Sequence, residues 1–186
     1  MWLFSAFLTL LLGAAPTPSP EPAAPRFEWG LCPFEGCVYR EWTATRGALA
    51  LAELRPTSTE VFRIRPGESV QALTGVVITT TLGRVRVVAP TSLGPAKALV
   101  AVTPEDTVYV LRYVFEGYYL IWTRGLTFEH RAGFDRLGPV RDQPALEVVS
   151  VVQTEWWVKV RNKQGLVGWC PEPRYFTGND RLSSVP

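Results

Sequence analysis

The chain has 186 residues, enough for one or two domains. Its 47% hydrophobic and 19% charged content marks a globular polypeptide rather than a disordered one. A net charge of +2, with both signs interspersed, is too weak and too scattered to argue for nucleic-acid binding.

Met1 to Ala15, MWLFSAFLTLLLGAA, is one uncharged apolar run. It is shorter than the roughly 17–25 residues that cross a bilayer as a helix. It matches the apolar part of a secretory signal, so export to the periplasm or the extracellular space is expected, with a buried N-terminal helix as the competing expectation. Membrane contact is then expected only through this segment, if it stays uncleaved. Residues 16–36 follow as a spacer and a cysteine-bracketed turn. In APTPSPEPAAP, from Ala15, the prolines fix φ and remove donors, so this stretch is an extended tether or a disordered leader.

Cys32 and Cys37 bracket Pro33-Phe34-Glu35-Gly36. In an oxidising compartment a disulfide between them is expected, contributing about 2 kcal/mol in the chain-entropy model. A redox pair is the lesser alternative, because the spacing is not C-x-x-C. With one close cysteine pair and one histidine, His130, a zinc site is not expected. Cys170 is left over and reads as a buried thiol. No cofactor is expected.

From Arg26 onward, short apolar and β-branched runs alternate with turn residues. Strands are predicted at 37–44, 48–54, 69–73, 76–81 and 84–89, the last two joined by a turn at Leu82-Gly83. Further strands are predicted at 107–115, 118–123, 126–130, 145–152, 156–162 and 166–170. The turns Glu116-Gly117 and Arg124-Gly125 join three of these into a meander. Two stretches follow one plan of strand, Gly break, strand, Gly turn and strand: RPGESVQALTGVVITTTLGRVRVV from Arg65, and PEDTVYVLRYVFEGYYLIWTRGLTFEH from Pro104. They predict two copies of one module, joined by a linker over 90–97.

The last hairpin is WWVKVRNKQGLVGWC, Trp156 to Cys170. Alternation puts Trp156, Val158 and Val160 on one face and Trp157, Lys159 and Arg161 on the other. Asn162-Lys163-Gln164-Gly165 supplies the turn, and Gly168 is expected to make room for a large cross-strand neighbour.

W-V-K-V, a polar Gly turn and then G-W resemble the last hairpin of bacterial SH3-like (SH3b) domains. RPGESVQALTG resembles an earlier strand pair of that family, and CPFEGCVYREW resembles the start of small exported proteins that contain such domains. The resemblance implies small five- or six-stranded barrels that bind cell-wall peptides or act as targeting modules. The expected fold is therefore all-β, with two SH3-like barrels in tandem at 37–90 and 96–176 and a tail at 177–186.

The expected function is non-catalytic binding at the cell envelope, with a wall peptide, a glycan or an extracytoplasmic protein as partner. Adjacent aromatics on a strand must split between faces, so Tyr118, Trp157 and Trp169 are candidates for apolar contact. Lys159 and Arg161 are candidates for carboxylates. In this reading Trp157→Ala weakens binding without unfolding. The same rings packing under a loop or the other module is the competing expectation. The rival functions are a thiol enzyme using Cys32 and Cys37 or a Cys170–His130 dyad, and a structural subunit with its aromatics buried between chains. The acidic residues Glu105, Asp106, Asp135, Asp142 and Glu147 fall in loops or at strand ends and predict no two-carboxylate site.

Overall fold

Period-two alternation becomes strand over most of residues 20–181, the part of the chain that the computed structural model describes. The signal segment expected at 1–15 and the end of the tail lie outside these residues. Among the described residues there are sixteen strands, one 3-10 turn at Pro173–Tyr175 and no α-helix, so the fold is all-β.

The first five strands are β1 (Arg26–Trp29), β2 (Glu41–Ala44), β3 (Ala48–Leu51), β4 (Glu60–Ile64) and β5 (Ser69–Thr81). The last three are β14 (Gln153–Arg161), β15 (Val167–Cys170) and β16 (Phe176–Thr177). These eight make one curled sheet in the order β16-β2-β5-β14-β15-β3-β4, with β1 alongside the outer half of β5. Its concave side encloses Trp42, Phe62, Ile64, Val70, Val158, Val160, Cys170 and Phe176. Trp42 is fully buried, and its indole N–H donates to Val38 O at 2.9 Å. That bond removes the cost of burying a polar group inside the apolar site.

The middle of the chain makes a second sheet. Its strands are β6 (Gly83–Val87), β9 (Thr107–Phe115), β10 (Tyr118–Thr123), β11 (Leu126–Arg131), β12 (Gly138–Val140) and β13 (Gln143–Ser150), in the order β11-β10-β9-β6-β13-β12. A separate hairpin, β7 (Thr91–Leu93) with β8 (Val100–Val102), adds Leu93 and Val102 to this core. The expected meander is present. Glu116 and Gly117 have φ of 43° and 80°, and Arg124 and Gly125 have 51° and 79°. Two successive positive φ values match the right-handed twist of a two-residue hairpin.

Hydrogen bonding divides the chain differently from the tandem expectation at 37–90 and 96–176. β14 runs antiparallel to β5 from Gln153↔Thr81 to Arg161↔Gln71, so the last hairpin completes the sheet of the N-terminal strands. The middle sheet is inserted between β5 and β14. The two predicted copies also differ. The Gly75 break is no break, because β5 continues through it for 13 residues. β5 and β6 are not a hairpin either; they belong to different sheets, and Leu82-Gly83 is the crossing between them. Only the stretch from Pro104 is a meander.

The sheets meet along the outer half of β5. Thr79 Oγ1 donates to Leu111 O at 2.7 Å in a fully buried position. Arg112 Nε lies 2.8 Å from Glu28 Oε2, with both side chains mostly covered.

Candidate functional site

The site is built on the convex face of the end-closed sheet. Its floor comes from β14, where the predicted alternation holds. Val158 and Val160 enter the concave core, and Trp156 packs against it. Trp157 points the other way but is not exposed: it is 2% accessible. It packs with Leu51, Val76 and Ile78, and Leu49, Leu54 and Trp169 close over the cluster. Its Nε1 donates to Glu155 Oε2 at 2.9 Å. Trp157 is therefore support rather than contact surface. The expectation that Trp157→Ala leaves the fold intact is corrected, since the residue is the centre of a small second core.

Above this floor lies an aromatic surface with two contributors that the sequence reading did not single out. β1 sits beside β5 with Phe27 opposite Ile78 and Trp29 opposite Val76. Directly opposed residues share a face, so Phe27 and Trp29 stand over the Trp157 side. They are 47% and 60% accessible. Their rings stack at 6.3 Å, and Trp29 meets Trp169 edge-on at 5.9 Å. Lys159 is opposite Trp169, with its ammonium 5.5 Å from the indole centroid. Arg161, exposed, is opposite Val167 one step further on. One face thus presents Phe27, Trp29 and Trp169 beside Lys159 and Arg161.

Of the five residues expected to bind, four share this region, with Trp157 beneath it. Tyr118 does not join them. It begins β10 in the inserted sheet and stacks on Phe115 at 5.1 Å. The period-two signal of Arg26-Phe27-Glu28-Trp29 was present in the sequence, but four residues after a proline-rich stretch read as spacer.

Gly168 also has a different purpose from the one expected. A Cβ there would lie 2.9 Å from Ala50 Cβ and 3.1 Å from Leu51 O. The missing side chain admits strand β3, not a large cross-strand ring.

Cys32 and Cys37 form the expected disulfide, with Cα atoms 6.0 Å apart. The loop they close is held to the C-terminal segment, where Val38 N–H donates to Asn179 O (3.0 Å) and Arg181 N–H to Gly36 O (2.8 Å). Phe34 from this loop meets Trp156 edge-on at 5.5 Å. Beside this pair opens a groove of about 600 Å³, bordered also by Thr154, Glu155, Trp157, Pro56, Pro171, Pro173 and Arg174.

Cys170 and His130 do not meet. Cys170 is free and wholly buried in the concave core, where desolvation pushes its thiol up to about 12. His130 is buried in the inserted unit. Gly94 N–H donates to its Nδ1 (3.1 Å), and its Nε2 donates to Gln143 Oε1 (2.8 Å). Gln143 Nε2 donates in turn to Arg131 O (2.9 Å), which fixes the amide and hence the tautomer. The only histidine of the chain is thus a structural clamp between β11, the loop at Gly94 and β13.

Compared with protein-family models, curated proteins and solved structures, the chain finds no match.

Proposed function

We propose that the protein is a non-catalytic binding module of the bacterial cell envelope, of the SH3-like kind, that holds a cell-wall polymer on the face formed by Phe27, Trp29, Trp169, Lys159 and Arg161. The observation that supports this reading is the exposed Trp29 ring, held edge-on to Trp169, with Lys159 over the second indole. Large exposed aromatics grouped on one sheet face are uncommon on a monomer surface without a partner. Flat rings offer stacking area to sugar faces and to the apolar parts of a stem peptide at small entropic cost. The two cations at the border supply charge-assisted bonds to the carboxylates that such polymers carry.

The face is rigid for a physical reason. Trp157, Val76 and Ile78 pack solidly below it, and β1 is fixed to β5 by a four-residue ladder. Binding then costs little ordering of the protein.

Co-sedimentation of the full-length protein with purified peptidoglycan tests the reading. The parent is expected to pellet with the polymer and to be released as salt is raised, because border cations on a surface are screened. Lys159→Gln is expected to weaken binding and flatten that salt response. A parent that stays in the supernatant at low salt removes the wall polymer as the ligand.

A further inference from the structure

The groove beside the disulfide loop lies along a stretch of strand edge that no other strand among the described residues takes up. Gly30 N–H donates to Gly75 O at 2.7 Å, which turns Gly75 toward β1. In an antiparallel ladder the N–H and C=O of one residue point to the same side and alternate along the strand. Val76 and Ile78 therefore turn toward β14, and their register partners Trp157 and Glu155 turn toward β5. Thr154 and Trp156 turn their N–H and C=O to the opposite side. From Val158 onward β15 occupies that side, beginning at Val158↔Cys170. Before Val158 the chain has left: Pro171 departs from the ladder, and among the described residues no strand pairs with Thr154 or Trp156 there.

The space left open is shaped for a chain. Phe34, Pro56, Pro171 and Pro173 wall the groove. Prolines cannot donate, so these walls offer apolar contact without competing for the open edge. The open stretch of Thr154 to Trp157 covers about 13 Å of strand, which matches about four extended residues. Arg174 borders the groove, rests over the Tyr175 ring at 5.3 Å and forms no ion pair among the described residues.

We infer that this groove binds an extended peptide segment of a partner protein by strand addition to the Thr154–Trp156 edge, with an acidic side chain of the peptide facing Arg174. The backbone groups of Thr154 and Trp156 supply two donors and two acceptors in strand register, a pattern that an extended peptide completes and a sugar does not. Phe34 and the prolines take alternate side chains of the added strand, and Arg174 sets the charge preference. The disulfide holds Phe34 in place, so the groove depends on oxidation of Cys32 and Cys37. This site is separate from the polymer-binding face and does not rest on that reading.

The test uses a pool of fluorescein-labelled hexapeptides with apolar residues at alternate positions and one Asp or Glu near an end, titrated into the full-length protein by anisotropy. The best member is remade with N-methyl groups on one or the other alternate set of backbone nitrogens. One set is expected to weaken binding at least tenfold and the other to leave it within about twofold. Thr154→Pro, which removes a donor from the open edge while sparing the bonds to β5, is expected to weaken binding at least tenfold. Trp29→Ala is expected to leave it unchanged. If Thr154→Pro fails to fold, Arg174→Gln serves, with an expected loss for the acidic peptide and not for its Asn or Gln counterpart. Equal tolerance of both methylation patterns, parental affinity in a folded Thr154→Pro, or no binding anywhere in the pool overturns the proposal. A dimer by sedimentation equilibrium that Thr154→Pro dissociates also overturns it, in favour of a second copy of the chain on the same edge.

Discussion

The two sheets solve the same packing problem with chain segments of very different separation. The inserted unit takes its strands from one continuous stretch, 83–150, and its central meander is built from neighbours joined by two-residue turns. The end-closed unit cannot form until β14 returns to β5, across the whole insertion. Its concave core needs Trp42 and Val70 from one end of the chain and Val158, Cys170 and Phe176 from the other. Local pairing carries little loop-closure entropy and forms early, whereas distant pairing waits for the chain between to be ordered. The binding surfaces proposed above all sit on the unit whose closure spans the insertion, where β1, β14, β15 and the C-terminal segment converge.

The sharpest way to separate the units is to damage one core at a time. Trp157→Ala removes the centre of the convex cluster and is expected to cost about 3–5 kcal/mol. Measured by urea denaturation, the loss should appear in the end-closed unit. NMR signals of the His130 ring, clamped in the inserted unit, should stay native at urea concentrations where that unit has melted. Simultaneous loss of both would show that the junction through Thr79 and Leu111 couples them into one transition.

A second difference is chemical. Burial raises the Cys170 thiol above its ordinary value of 9.0 to about 12, so the folded state holds a proton that the unfolded state has released. The stabilisation is complete below pH 9 and is lost as pH rises toward 12. It is worth on the order of 4 kcal/mol across that window. Cys170→Ala should flatten this alkaline slope. At neutral pH the native thiol should not react with a thiol reagent until the end-closed unit opens.

Smaller effects probe the connections. Gly83 marks the crossing, where a Cβ would lie 2.9 Å from both Val110 Cβ and Val152 N. Gly83→Ala is expected to cost about 1–3 kcal/mol by overpacking, read as a lowered thermal midpoint. Reducing Cys32–Cys37 frees a short loop and should cost about 2 kcal/mol. It should loosen Phe34 from Trp156 while leaving the inserted unit unchanged, checked by hydrogen exchange.

Local signals in the sequence were sufficient for the fold class and for most strands. Thr107–Phe115 and Tyr118–Thr123 have the predicted limits, because alternation and the Glu-Gly turn act over a few residues. The close cysteine pair was legible for the same reason. What the sequence did not disclose is long-range. Nothing local in Trp156–Cys170 states which sheet it joins, so contiguity placed it with the second unit. The alternation that put Trp157 opposite Val158 was correct. It could not reveal that Leu49, Leu51, Leu54 and Val76 supply a second core on that side. β1 escaped sequence reasoning because its four residues gain their meaning only from the β5 partners 47 to 53 residues away, Arg26↔Thr79 to Trp29↔Val76.

In the proposed function two tryptophans of one face divide the labour: Trp157, buried, supports, and Trp29, exposed, binds. Peptidoglycan co-sedimentation and thermal denaturation of Trp29→Ala, side by side with the parent, test it most directly. The expected result is an unchanged melting midpoint and at least a tenfold loss of polymer binding. A Trp29→Ala protein that pellets with the polymer as well as the parent does would contradict it.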